Sequence, residues 1–239
     1  MKPTFEDFER EVVELQGQIT KSYKKYETDD RGLISDGIVN LREYYDSDLK
    51  IMWILKEPYD EGDNTGGWWS LTNAIGKEPN KFVLGGSRST WQPIVYATYG
   101  IHNNVLNYSD MGYIRNNHEM MNILKKIAFI NIQKMPAGTR TYYNNIQSAY
   151  KSNKEILLTQ IKTYNPDIII GGSVMYLFSG DLDFRKEKMG ATDSNEYWIQ
   201  NGKLFIAAYH PAQTTTTRDV YVDDLLFAVR KYKESCKTI

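Results

Sequence analysis

The stretch Ile51-Met52-Trp53-Ile54-Leu55-Lys56-Glu57-Pro58-Tyr59 decides the fold class. Five apolar residues run without polar alternation and stop at a charged pair and a proline. A strand covered on both faces reads this way, because each face needs apolar side chains. Three more runs repeat the pattern: Ile127-Ala128-Phe129-Ile130-Asn131-Ile132, Asp167-Ile168-Ile169-Ile170-Gly171 and Leu204-Phe205-Ile206-Ala207-Ala208. Helical patterns lie between and after them. Ser152-Asn153-Lys154-Glu155 has the form of a capping box opening a helix that ends at Asn165-Pro166. Val220, Leu225, Leu226 and Val229 mark a C-terminal helix. Strands alternating with helices predict an α/β fold, a three-layer α/β/α sandwich with a central four-stranded, mostly parallel sheet.

Outward from the strands, Phe5, Phe8, Val12, Leu15, Ile19 and Tyr23 recur at spacings of three and four, predicting an N-terminal helix over about 4–26. Thr4 caps its start, and Asp7 suits the helix dipole. The segment from about 59 to 118 breaks the rhythm. It is rich in Gly, Asn, Trp and Tyr and reads as a long loop-rich insertion with short helices, which in compact domains is usually functional. Without an interdomain linker or a repeat, the 239 residues read as one domain, 1–239.

Lysine and arginine number 29 against 30 acidic residues, so no overall basic charge advertises a nucleic-acid partner, although a local patch is compatible with neutrality. A single cysteine, Cys236, excludes an intrachain disulfide and a cysteine-built zinc or iron–sulfur site. The expectation is a reducing, cytoplasmic setting. The first residues lack the apolar core of a signal peptide, and no apolar run approaches the roughly 20 residues of a membrane span. The 18 tyrosines and five tryptophans fit an aromatic core and equally a stacking surface for bases or sugars.

In open α/β sheets ligands bind beyond the carboxyl ends of the strands, so residues there are the candidates. Glu57 follows the first strand, where a carboxylate positions water or stabilises a developing cation, or simply solvates a turn. Asn131 ends the second strand, and its amide offers a donor and an acceptor for a base edge or for local backbone. Gly171, Gly172 and Ser173 end the third; small residues there let amides approach a phosphate or just turn the chain. His210, in Tyr209-His210-Pro211-Ala212-Gln213, follows the fourth and suits hydrogen bonding to an anionic leaving group or to backbone.

Taken in order, Glu57-Pro58-Tyr59, Asn131, Pro166-Asp167-Ile168-Ile169-Ile170-Gly171 and His210-Pro211-Ala212 make the chain resemble the uracil-DNA glycosylase superfamily, over roughly residues 50 to 215. Gly67-Trp68-Trp69-Ser70 falls where that family places a stacking aromatic. The resemblance implies hydrolysis of an N-glycosidic bond, releasing uracil or another deaminated base from DNA extruded into a pocket. It implies that Glu57 positions water, Asn131 reads the base edge, Trp69 or Trp68 stacks on the ring, Tyr59 closes the pocket and His210 stabilises the departing base. It also implies that no metal or redox cofactor takes part. The chain carries Glu57 where the classical branch has aspartate, with Lys56 before it, and Gln213, Thr214 and three more threonines where that branch has an apolar wedge. Single-stranded DNA or nucleotide-like substrates, with Arg218 on a phosphate, suit that difference. A protein that binds nucleic acid or a nucleotide without turnover, and a hydrolase of small nucleoside-like substrates, are the alternatives. A monomer is expected.

Overall fold

The computed structural model of the chain describes residues 3–60, 65–138, 141–182, 184 and 190–236. In chain order the elements are α1 (Phe5–Tyr23), β1 (Ile34–Ser35), β2 (Gly37–Ile38), α2 (Leu41–Tyr45), β3 (Ile51–Leu55), β4 (Trp69–Ser70), α3 (Leu71–Lys77), α4 (Pro79–Val83) and α5 (Arg88–His102). They continue with β5 (Ile127–Asn131), α6 (Tyr143–Tyr164), β6 (Ile168–Gly172), β7 (Gly190–Ala191), β8 (Asn195–Gln200), β9 (Lys203–Ala208) and α7 (Arg218–Cys236).

The fold is α/β, but the sheet is larger than the four strands expected. Among the described residues it has seven strands in the order β2-β5-β3-β6-β9-β8-β7. The runs read from sequence form its parallel centre, β5-β3-β6-β9. β2 pairs antiparallel with β5 on one side, and the β8–β7 extension pairs antiparallel on the other, so the sheet is mixed. β2 and β7 have two residues each, too short to leave a pattern, and β8 mixes polar with apolar residues along Asn195-Glu196-Tyr197-Trp198-Ile199-Gln200. A separate pair, β1 and β4, runs parallel.

Side chains alternate across the sheet, and each face has its own core. Ile51, Trp53, Ile127, Phe129, Ile168, Ile170, Leu204 and Ile206 pack with residues of α5 and α7. Met52, Ile54, Ala128, Ile130, Ile169 and Phe205 pack with α1 and α6. The stripe on α1 is buried from Phe8 to Tyr23, with Phe5 half-buried at its start, and Thr4 accepts from the Asp7 N–H.

Two local expectations change. α6 begins at Tyr143, so Ser152-Asn153-Lys154-Glu155 lies inside it rather than at its start. Asn153 is buried there and donates to the Ile132 carbonyl, a tertiary contact that keeps an amide within a helix. The segment from 59 to 118 is more helical than expected: α5 spans 15 residues and buries Trp91, Ile94, Val95, Ala97 and Ile101 against the sheet. Among the described residues no helix is long and apolar enough to cross a membrane, and no group of three or more His, Cys, Asp or Glu is placed to hold a metal ion.

Candidate functional site

The chain leaves β3 toward β5 and leaves β6 toward β9, its neighbours on opposite sides. Connections therefore diverge between β3 and β6, and a crevice opens at their carboxyl ends. Glu57 stands two residues beyond β3, Ser173 one beyond β6 and His210 two beyond β9.

The turns after β6 and β9 are locked together. Ser173 sits at φ 62°, its N–H donates to the Ala208 carbonyl, and its Oγ accepts from the His210 N–H at 2.9 Å. A Cβ on Gly172 would lie 3.0 Å from Leu55 Cδ2 and 3.2 Å from Pro211 Cδ, and one on Gly171 would lie 2.8 Å from the Met175 backbone. Both glycines are thus needed for contacts within the chain. The next helical turn, Met175–Phe178, is a single short one, so the phosphate cradle expected at Gly171-Gly172-Ser173 has no helix N-terminus behind it.

His210 is half-buried, and its Nδ1 accepts from the Ala212 N–H at 3.2 Å. Burial, then the nearby Lys56 charge, pulls its pKa down to about 4. The ring is therefore neutral at ordinary pH, with Nδ1 as acceptor and the proton on Nε2. Among the described residues that Nε2 has no hydrogen-bond partner. It is a donor presented at the sheet's carboxyl edge, suited to charge developing on a ligand.

Glu57 is also half-buried and accepts from the Thr141 hydroxyl. It lines a cavity of about 220 Å³ with Arg31, Gln133, Ala137, Gly138, Tyr142, Asn145 and Ala149. Neither Asn131 nor His210 lines that cavity. A second cavity, of about 480 Å³, lies at the ends of β6 and β9, rimmed by Tyr143, Ser173, Tyr176, Asn195, Glu196 and Tyr209. Glu57 lines the smaller of these two hollows, and His210 lines neither.

Asn131 is 2% exposed. Strand alternation gives its side chain the parity of Ile127 and Phe129, toward α5 and α7, whereas Glu57 turns toward α6. Its Nδ2 is buried without a partner, and its backbone N–H donates to Asp36 Oδ2 at 2.7 Å.

The other sequence candidates divide. Trp69 is half-buried, and its Nε1 donates to Asp60 Oδ2 at 3.0 Å. Trp68 is 54% exposed and lies over Gly32, where a Cβ would come within 2.4 Å of its ring. Tyr59 is exposed, and its backbone pairs with that of Ala137, which lines the Glu57 cavity. Gln213 binds its own loop, accepting from the Thr216 N–H at 2.8 Å and donating to the Thr216 carbonyl at 3.0 Å, so its amide is a loop staple and not a free contact to nucleic acid. Thr214 and Arg218 are exposed, and the Arg218 guanidinium lies 6.0 Å from the Tyr96 ring centroid.

Arg31 was not a sequence candidate. It sits between Asp30 and Gly32 in a segment without periodicity, and only its bridge to Gly66 and its bond to the Pro136 carbonyl bring it beside Glu57. No family model and no curated protein sequence matches this chain.

Proposed function

We propose that this chain hydrolyses an N-glycosidic bond, releasing uracil or another deaminated base from DNA in the manner of the uracil-DNA glycosylase superfamily that its motifs resemble. The carrying observation is the state of His210: neutral, with Nδ1 occupied by Ala212 and the Nε2 proton unpartnered, at the carboxyl edge that also bears Glu57. A neutral imidazole donates to a departing base anion without itself needing to lose a proton. In this reading water's oxygen bonds to C1′, and the C1′–N bond breaks with its electron pair leaving on the base. Glu57 orients that water, takes its proton and offsets the positive charge on the sugar.

The test is release of free base from uracil-containing single-stranded and duplex oligonucleotides. Release that is lost in Glu57→Gln supports the reading. Absence of release from every substrate by folded protein ends it.

A second reading is recognition of a nucleotide or nucleic acid without turnover. It is favoured by one observation: Glu57 lines a cavity that His210 does not share, and Thr141 already holds the Glu57 carboxylate. It predicts binding that is indifferent to Glu57→Gln.

A further inference from the structure

The cavity beside Glu57 carries both signs of charge. Glu57 and Arg31 both line it. Arg31 makes no salt bridge with a described residue; one terminal nitrogen donates to the Pro136 carbonyl at 2.7 Å, and its Nε is shielded from solvent without a partner. That Nε is out of reach of a ligand, but the other terminal nitrogen also makes no bond to a described residue, so an anion entering the cavity would meet a charged donor with capacity to spare.

The same cavity gathers further donors. Gln133 Oε1 accepts from the Lys134 and Met135 N–H groups at 2.9 and 3.2 Å, which leaves its Nε2 to donate. Tyr142 contributes a phenol and Asn145 an amide. Tyr142 is also the N-cap of the 22-residue α6, and no side chain caps that terminus. The Asn145 and Ile146 N–H groups donate to the Tyr142 carbonyl, which leaves those of Tyr143 and Asn144 at the start of a long helix, near a guanidinium group that makes no salt bridge with a described residue, and both favour an anion.

We propose that this cavity holds the phosphate of a sugar phosphate, with Arg31 as its charged partner and the N-terminus of α6 as its backing. Glu57, in the same cavity, selects the rest of the ligand: the end facing it is neutral or turns positive, as a pentose does when its glycosidic bond breaks. A cavity of about 220 Å³ has room for a phosphate and part of a pentose, not for a base as well. The base then lies outside it, toward the edge where His210 stands. This deepens the hydrolase reading by assigning the phosphate end of its substrate and rests on that reading only for the sugar's orientation. Substrates become nucleotides or nucleotides within a strand, and free nucleosides are poor ligands.

Calorimetric titration with deoxyuridine, its 5′-monophosphate and the dinucleotide dUpT separates the possibilities. At least one phosphate-bearing ligand is expected to bind about tenfold or more tightly than deoxyuridine, as one charge-assisted contact implies. Whether the monophosphate or the dinucleotide leads distinguishes a terminal phosphate from a phosphodiester. Arg31→Gln abolishes the advantage. Asn145→Asp abolishes it too, and it is the safer variant, because an acid in the first turn suits the helix while repelling a phosphate. Glu57→Gln keeps or enlarges it. Equal affinity for all three ligands, no binding of any, or an advantage that survives both Arg31→Gln and Asn145→Asp overturns the proposal. Failure of the hydrolase reading looks different: no base is released, yet the phosphate preference persists. Base release from deoxyuridine as fast as from its monophosphate, unaffected by Arg31→Gln, keeps the hydrolase and removes the phosphate site.

Discussion

Lys134 and Asp36 form an ion pair sealed from solvent: Nζ lies 2.7 Å from Oδ2 and 2.8 Å from Oδ1, with both side chains 0% exposed. Lys134 also donates to the Asn131 carbonyl, and Asp36 accepts from the Asn131 N–H and from Gln160 Nε2. The pair therefore grips the carboxyl end of β5 and ties it to α6. Burial pulls the Lys134 pKa down, and only the charge and hydrogen bonds of Asp36 oppose this.

Removing one partner leaves the other charged or forces it to neutralise in a dry interior. Lys134→Met alone is expected to lower unfolding free energy by about 3–5 kcal/mol, and Asp36→Leu alone by at least as much. The double variant loses less than the sum, since no orphaned charge remains, although Gln160 and the Asn131 N–H still lose their acceptor. Urea unfolding of the four proteins gives the coupling; strictly additive losses would mean that the two groups do not stabilise each other.

How far such features were legible in sequence depends on whether their cause is local. The strands β3, β5, β6 and β9 announce themselves because burial on both faces demands apolar runs. The start of α6 does not: Asn144, Asn145 and Gln147 resemble a turn, and the helix is held by Ile146, Ala149 and Tyr150 against the α1 side of the sheet. Glu57 and His210 were legible as strand-end residues beside prolines. Arg31 and Asp36 were not, because each acquires its role from partners about a hundred residues away, Pro136 and Lys134.

Gly67 has φ 104°, and a Cβ there would lie 2.1 Å from the Gly32 carbonyl oxygen. Its N–H donates to Asp60 Oδ2, the same oxygen that holds Trp69 Nε1. Gly67→Ala is expected to cost more than about 1 kcal/mol, since both the positive φ and the close approach oppose a side chain. It should also release Trp69, seen as a change in tryptophan emission. Unchanged stability and emission would show that the chain tolerates a side chain at this crossing.

His102, at the end of α5, has a buried Nε2 without a partner. Burial, with the charges of Lys126 and Lys233, lowers its pKa to about 4, while Asp48 works weakly against them. The unfolded chain takes up the proton near pH 6.5 and the folded chain only near 4. Between these values the unfolded state binds more protons, so stability falls as pH drops through that window and is flat above it. His102→Phe is expected to flatten part of this slope. The carboxylates held low, Asp7, Asp181 and Asp219, lose their contribution only below the ordinary aspartate value of 3.8, outside the window. An unaltered slope between pH 6.5 and 4 in His102→Phe would assign it to other groups.

His210 offers a titration that does not depend on any reaction. Its imidazole proton resonances should titrate near pH 4, because burial and then the Lys56 charge both disfavour the cation. Lys56→Met removes the second cause and leaves the first, so the midpoint rises but stays below the 6.5 of a free histidine. The tautomer is equally testable: with Nδ1 accepting from Ala212, the nitrogen spectrum of neutral His210 should carry its proton on Nε2. If the proposed base release occurs, a His210 that works as a neutral donor keeps activity constant down to about pH 5. The acidic limb then follows the histidine midpoint and moves up with it in Lys56→Met. A donor of this kind is worth about 10²–10³ in rate, so His210→Ala should lose that much and, with it, the acidic limb that follows the histidine midpoint. A midpoint near 6.5 in the intact protein, or a Lys56→Met variant that leaves it unmoved, removes the electrostatic basis for assigning His210 that role.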